Sequence, residues 1–298
     1  MDSSKDEKPK AWIHMNQSEK FLKGVFPPSH ARVEKVGDTY IGVITRTLYL
    51  GKQSFPINLY YHTSEFSALI KPARGLSFIF WNKIRKDSTE PRRQSEKGYL
   101  QMIGPFAQSR APIAYLDLQN VSKENYYILW SSTLKNHRNK WLRNIENGEI
   151  LVAEVVLQDF IAEYKKSDIK KSLKSFYLKQ MLDFKNAYAQ DMTTYLIKDS
   201  AGKVLAGTCI LDDRETKQCI YQYAFSHKSP KYKYIGVGII DFCIRHTLDK
   251  SFSFLNLTAT WDKYQPKSWR GLTSFKMQFN PTVSDCRFAY FKILLKIK

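Results

Sequence analysis

The stretch "KQCIYQYAFSHKSPKYKYIGVGIIDFCIRHTLDKSFSFLNL", residues 217–257, decides how this chain folds. Its first part, "KQCIYQYAFS", alternates apolar and polar residues as a strand does, with Cys219, Tyr221, Tyr223 and Phe225 expected on one face. Further on, Ile240, Cys243, Ile244 and Leu248 recur at helical spacing, and "FSFLNL" reads as a second strand. A helix between two strands is a crossover, so the second strand should run parallel to its neighbour. Where the helix begins, Lys233, Gly236 and Gly238 spell K-x-x-G-x-G. Glycines let a backbone approach a ligand closely, and the unpaired N–H groups of a helix start attract anions. The same residues also suit a turn ahead of a core helix, and a lone G-x-G does not separate the two readings.

Working outward, "EILVAEV" (149–155) reads as a strand and 157–188 as largely helical. "MTTYLIKD" and "KVLAGTCIL" join "KQCIYQYAFS" in a meander through turns at Ser200–Gly202 and Asp212–Thr216. The first half repeats this order. Residues 31–62 read as three strands turning at Gly37-Asp38 and Gly51-Lys52, followed by a short helical candidate, "SEFSALIKPA" (64–73), and the strand "LSFIFW" (76–81). Residues 85–98 read as an exposed loop and "AYLDL" (114–118) as a strand. The next helix is expected to run over 124–148, capped by Ser122 and closed by Gly148. The first half has no G-x-G at its helix start. The expected division is a frayed start over 1–20, one domain over 21–147 and a second over 148–298.

Bulk properties narrow the function classes. The chain has 298 residues with 43% hydrophobic content, 18 Phe and 18 Tyr, enough for real cores and against global disorder. Its four cysteines, Cys209, Cys219, Cys243 and Cys286, show no C-x-x-C spacing, which argues against zinc and a disulfide framework and suits a reducing compartment. "MDSSKDEKPK" is charged where a secretory signal is apolar, and no run reaches membrane-spanning length, so a cytoplasmic protein is expected. The 47 Lys+Arg against 28 Asp+Glu give a net charge of +19, which favours polyanions: RNA, anionic membrane surfaces or phosphorylated small molecules. The densest basic stretch is "YKKSDIKKSLKSFYLK" (164–179). There Leu173, Phe176 and Tyr177, with Met181 and Phe184 beyond, are expected to face the core and leave the lysines solvated. No Ser/His/Asp or metal constellation is visible, and His137 and His227 lack the partners of a general base.

Antiparallel strands, a glycine loop opening a helix and then a parallel strand resemble the core of the GNAT acyltransferase superfamily. The whole chain, over about residues 20–290, resembles the FemAB/FemX-type transferases. The resemblance rests on "AYLDL", "STLKNHRNKWLRNIENGEI" (132–150), "GKVLAG" (202–207) and, most specifically, "GLTSFKMQF" (271–279), which matches an F-K-x-x-F/W element. It implies an α/β fold of two tandem GNAT-like domains, each a mixed, mainly antiparallel sheet flanked by helices. The implied reaction moves an aminoacyl or acyl group to a primary amine. The donor would be aminoacyl-tRNA or acyl-CoA, with no permanently bound cofactor, and the acceptor a peptidoglycan precursor, lipid-linked or not, reached at an anionic membrane face. The resemblance places charge stabilisation during transfer on Lys276, beside Phe275. Tyr264 falls where the superfamily often places a general acid, and Trp261 near acceptor contacts. Lys233, Gly236 and Gly238 would meet the donor, and Arg138 would meet substrate phosphates, with Lys135, Lys140 and Arg143 alongside. Two departures stand out: the chain lacks the coiled-coil arm of some tRNA-using members, and Asn280-Pro281 follows the F-K-x-x-F element where glycine is common. A smaller acyl-CoA-dependent N-acyltransferase and a non-catalytic RNA- or membrane-binding relative are the alternatives.

Overall fold

The computed structural model describes residues 15–26, 31–37, 39–50, 53–64, 70–71, 73–83, 95–96, 98–101, 112–169, 171–227, 229–261, 267–284 and 288–296. These form two mixed sheets with helices packed on them, the expected α/β class. The first sheet contains β1 (Arg32–Val36), β2 (Thr39–Leu50), β3 (Gln53–Ser64), β4 (Gly75–Lys83), β5 (Ser95–Glu96), β6 (Tyr99–Gln101) and β14 (Phe288–Lys296), in the order β1-β2-β3-β4-β14-β6-β5. The second contains β7 (Ile113–Asp117), β8 (Ile150–Val155), β9 (Met192–Asp199), β10 (Val204–Asp213), β11 (Gln218–Ser226), β12 (Phe254–Ala259) and β13 (Thr282–Ser284), in the order β13-β7-β12-β11-β10-β9-β8. The helices are α1 (Glu19–Val25), α2 (Ser132–Glu146), α3 (Leu157–Lys166), α4 (Lys171–Tyr188), α5 (Ile235–Asp249) and α6 (Arg270–Met277). No described helix is long and apolar enough to cross a membrane.

The sheets do not divide the chain at the expected 147/148 boundary. β7 and α2 precede that boundary yet belong to the second sheet, where β7 pairs with β12 and β13. Conversely β14, the last strand, inserts between β4 and β6 of the first sheet. Pairings so distant in sequence leave no local signal, and neither β13 nor β14 was anticipated. α1 ties the two halves: Phe21 packs its ring 5.1 Å from that of Phe184 in α4, and Lys20 reaches Asp191 at 2.6 Å. The approach needs Gly24, where a Cβ would sit 2.2 Å from the Phe184 ring.

In the first sheet β3 and β4 run parallel and pair continuously, residues 57–64 against 76–83. The register fixes cross-strand rows on one face. Ile44, Leu59, Phe78 and Ile293 form one row, and Arg46, Ile57, Leu76 and Leu295 the next. The opposite face packs Val43, Tyr60, Ile79, Trp81 and Tyr290 into a buried cluster. The helical candidate at 64–73 lies largely outside the described residues, as does most of the loop expected at 85–98.

In the second sheet β11 and β12 are also parallel, as expected, and α5 is the crossover between them. Their pairing covers only Gln218, Cys219 and Ile220 against Phe254, Leu255 and Asn256. Beyond those pairs both strands continue without pairing to each other, so the sheet opens at the carboxyl ends of two central strands. A bulge accompanies the opening on each. On β11 the register against β10 slips where Cys209 faces Tyr223 and Ile210 faces Tyr221, leaving Gln222 as the extra residue. The slip corrects the expected single face: Cys219 and Tyr221 pack into one core, and Tyr223 and Phe225 into the core on the other side. On β12 the register against β7 slips between Asn256 and Ala259, and Thr258 takes a left-handed φ of 62°.

Two helices start or face differently from expectation. α2 begins at Ser132, capped by the Ser131 hydroxyl accepting from the Leu134 N–H at 3.3 Å, a contact worth about 1 kcal/mol. Residues 124–130 form turns, with the Ser122 hydroxyl accepting only from the Glu124 N–H. In α4 Met181 and Phe184 are buried as expected and Tyr177 is half-buried, whereas Phe176 is exposed.

Candidate active site at the split in the second sheet

Crevices outside the carboxyl ends of strands are where open α/β sheets bind ligands. Here that position is the gap between β11 and β12 beyond their last pair, and the loop leaving β11 brings the start of α5 to the same end. α6 then packs between the start of α5 and the end of β12. Phe275 supplies one contact: a Cβ on Gly236 would lie 3.3 Å from its ring. Lys276, the next residue, turns the other way. Its Nζ donates to the Ala259 carbonyl at 2.7 Å and to the Thr258 hydroxyl at 3.3 Å. Both acceptors lie in β12 past its last pair with β11. The F-K-x-x-F spacing explains the geometry: Phe275 and Phe279 stack edge-on at 5.3 Å and Phe279 meets Trp130 at 5.1 Å, so the lysine is carried in between them.

Lys276 is only 2% exposed. No carboxylate pairs with it among the described residues, and burial lowers its pKa from 10.5 to about 7. An ammonium has three donors, and two are used by Ala259 and Thr258. The arrangement is therefore a fixed nitrogen, neutral or cationic near pH 7, with one donor left over at the rim of a sheet opening. It can donate to an oxygen that gains negative charge, or it can accept a proton.

The other expected site residues fall into three groups. Gly236, Phe275, Lys276 and Trp261 come together here: the Trp261 backbone N–H donates to the Thr273 hydroxyl of α6 at 2.5 Å, and the Arg270 guanidinium lies 4.3 Å over its ring. Lys233 is exposed immediately before α5. Gly238 has a different setting, because its N–H already donates to the Tyr234 carbonyl at 3.0 Å and a Cβ there would lie 2.2 Å from the Trp141 ring of α2. It allows two helices to touch, and the N–H groups of residues 235–237 are the ones left over at the helix start. Tyr264 lies outside the described residues.

Arg138 is neither a solvated nor a ligand-facing side chain. It is buried between α2 and α5, its Nε 2.8 Å from Asp241 Oδ1 and 3.0 Å from the Tyr126 hydroxyl, with the Tyr127 ring 3.7 Å away. Tyr126 donates to the same Asp241 carboxylate. Burial raises the Asp241 pKa, against the pull of Tyr126, Arg138 and Arg245. The basic run on α2 thus hides one interhelical anchor among exposed residues such as Lys140 and Arg143. Only the core-facing Asp241 partner could have signalled it, and sequence spacing does not connect 138 with 241.

A second cluster was also missed. Asp212, Cys219 and His246 offer ligand atoms within 4.8 Å of one another. They come from β10, β11 and the last turn of α5, at the end of the sheet away from the split. His246 Nε2 lies 2.9 Å from Asp212 Oδ1, and Lys250 Nζ lies 3.9 Å from Oδ2. Burial holds the Cys219 thiol well above its ordinary pKa. The carboxylate is met by the imidazole and approached by the ammonium, so the trio reads as a hydrogen-bonded cluster closing this end of the sheet.

No family model matches the sequence, and no curated protein matches it. Solved structures do match the fold. FemX aligns at a TM-score of 0.64 with 10% identity, covering 95% of this chain and 93% of its own. L-PGS from Bacillus licheniformis aligns at 0.51 with 13% identity, covering 95% of this chain and 88% of its own. The C-terminal domain of a protein assigned as a lysylphosphatidylglycerol synthetase from Agrobacterium fabrum aligns at 0.52 with 12% identity, covering 93% of this chain and 87% of its own. The chain thus shares its overall fold with FemX and with these two other structures.

Proposed function

We propose that this chain is an acyl or aminoacyl transferase whose reaction takes place at the split between β11 and β12. The observation that carries the reading is Lys276: buried, without a carboxylate partner among the described residues, and fixed to β12 beyond its last pair with β11. A primary amine attacks the carbonyl carbon of an activated donor, and the carbonyl oxygen becomes an oxyanion in the tetrahedral intermediate. The spare N–H of Lys276 donates to that oxygen, an interaction worth about 3 kcal/mol. Collapse of the intermediate expels the donor's alcohol or thiol, which takes up a proton as the amine loses one.

The finer reading takes aminoacyl-tRNA as donor and the amine of a peptidoglycan precursor as acceptor, supported by the sequence resemblance and by the similarity to the FemX fold. A second reading, with acyl-CoA as donor, draws support from the start of α5, where the N–H groups of residues 235–237 and Lys233 would suit a pyrophosphate. Equilibrium binding with acetyl-CoA and aminoacyl-tRNA as probes separates the two. A tRNA donor gives affinity that falls steeply with salt as counterions are released. A CoA donor gives saturable binding that Gly236→Asp weakens. Binding of neither probe, with Lys276→Met leaving transfer unchanged, overturns the transferase reading and leaves a non-catalytic relative.

A further inference from the structure

We infer that the outward face of the first sheet docks on an anionic lipid surface. The inference is independent of the reaction assigned to the second sheet. The four central strands, β2, β3, β4 and β14, contain no aspartate or glutamate at all, and the register puts Arg46 on the outward face, whereas Lys292 and Lys296 share the other face with the buried cluster. Of their two faces one is the buried cluster around Trp81. The other carries the apolar rows. Among the described residues it is covered only at one corner, where Phe26 stacks on Tyr61 with 5.3 Å between ring centroids and fills the space over Gly42.

Of the remaining positions, Ile44, Leu59 and Phe78 at the centre are half-buried, and exposed ones lie toward β6 and the far strand ends. Leu295 and Leu100 are each 58% exposed and Ile293 is 52% exposed. The cross-strand pair Leu48 and Phe55 is exposed as well. Contiguous apolar rows of this kind on a folded surface mark an interaction site. Charge selects the occupant. Arg46 stands within the rows, and exposed Lys71 and Arg74 lie just before β4. A second copy would set these like charges, on a chain of net charge +19, against one another. A nucleic acid would satisfy the charge and leave the aliphatic rows wet. An anionic bilayer answers both, taking the aliphatic side chains at the level of its acyl boundary and the arginines and lysines among its headgroups.

Flotation of the full chain with vesicles of phosphatidylcholine, with and without phosphatidylglycerol, tests this. The expected result is co-flotation with the phosphatidylglycerol vesicles alone, weakened by salt. Ile293→Glu with Leu295→Glu should weaken it about tenfold or more, and Arg46→Glu about fivefold. Leu48→Ser with Phe55→Ser, at the margin of the sheet, should weaken it without touching the central rows, so a folding failure of the first variant is not decisive. Leu129→Glu, an exposed apolar position before α2, should leave it unchanged. The inference is overturned by absence of vesicle binding at low salt. Binding lost with Leu129→Glu and retained in the face variants also overturns it. So does sedimentation showing a dimer that the face variants dissociate, because the face then belongs to a second copy.

Discussion

The two sheets share one plan, a meander followed by a crossover to a parallel strand, and differ at one joint. In the first sheet the parallel pair β3–β4 stays hydrogen-bonded from residues 57 to 64. In the second the parallel pair β11–β12 ends after Ile220 and Asn256, with a bulge on each strand. A closed parallel pair satisfies its own backbone and has nowhere to seat a ligand. An open one exposes backbone groups between two strand ends, and here it gathers a helix start and a buried lysine around them. The same plan thus yields a scaffold in one half and a candidate site in the other, and the difference lies in a few unmade hydrogen bonds.

The largest stability effect is expected in the closed sheet, where Ile79→Ala in the buried face should cost about 2–5 kcal/mol and leave donor binding unchanged. If it abolishes binding instead, the division of labour between the sheets fails. The open sheet needs bracing from α2. Arg138→Ala leaves the buried Asp241 with only Tyr126 and the part-exposed Arg245 to answer it and should cost up to about 3 kcal/mol in denaturant unfolding. Lys276→Met should act in the opposite direction on stability. The folded pKa of about 7 lies below the unfolded one, so between about pH 7 and 10 the unfolded chain holds a proton that the folded chain lacks. Stability should rise with pH across that window. The variant should remove this slope and be more stable by on the order of 3 kcal/mol at pH 6, a trade of stability for function. Smallest is the contrast between the two glycines. Gly238→Ala collides with Trp141 and should cost about 1–3 kcal/mol, while Gly236→Ala, 3.3 Å from the Phe275 ring, should stay within about 1 kcal/mol.

Much of the second half was legible because its signals are local. The periodicity of 157–188, the meander and the crossover helix all appear in the structure, whereas the burial of Lys276 between two phenylalanines has no signal in the F-K-x-x-F spacing itself. What was illegible depends on distant partners. Nothing near "AYLDL" says that it pairs with β12, and nothing near residue 290 says that the chain end returns to the first sheet. The bulge at Gln222 breaks an alternation that looks regular in sequence, and its buried Oε1 has no hydrogen-bond partner among the described residues. Arg138 read as a surface cation because its neighbours on α2 are cations. Its burial is set by Asp241, more than a hundred residues later.

The most direct test is the pH dependence of kcat/KM for acyl transfer, wild type against Lys276→Met. With the Lys276 ammonium stabilising the oxyanion, the rate should fall as pH rises through about 7, and the variant should lose about 10²–10³-fold with that inflection gone. A variant that keeps the wild-type rate and the same profile would contradict a transfer site at the split.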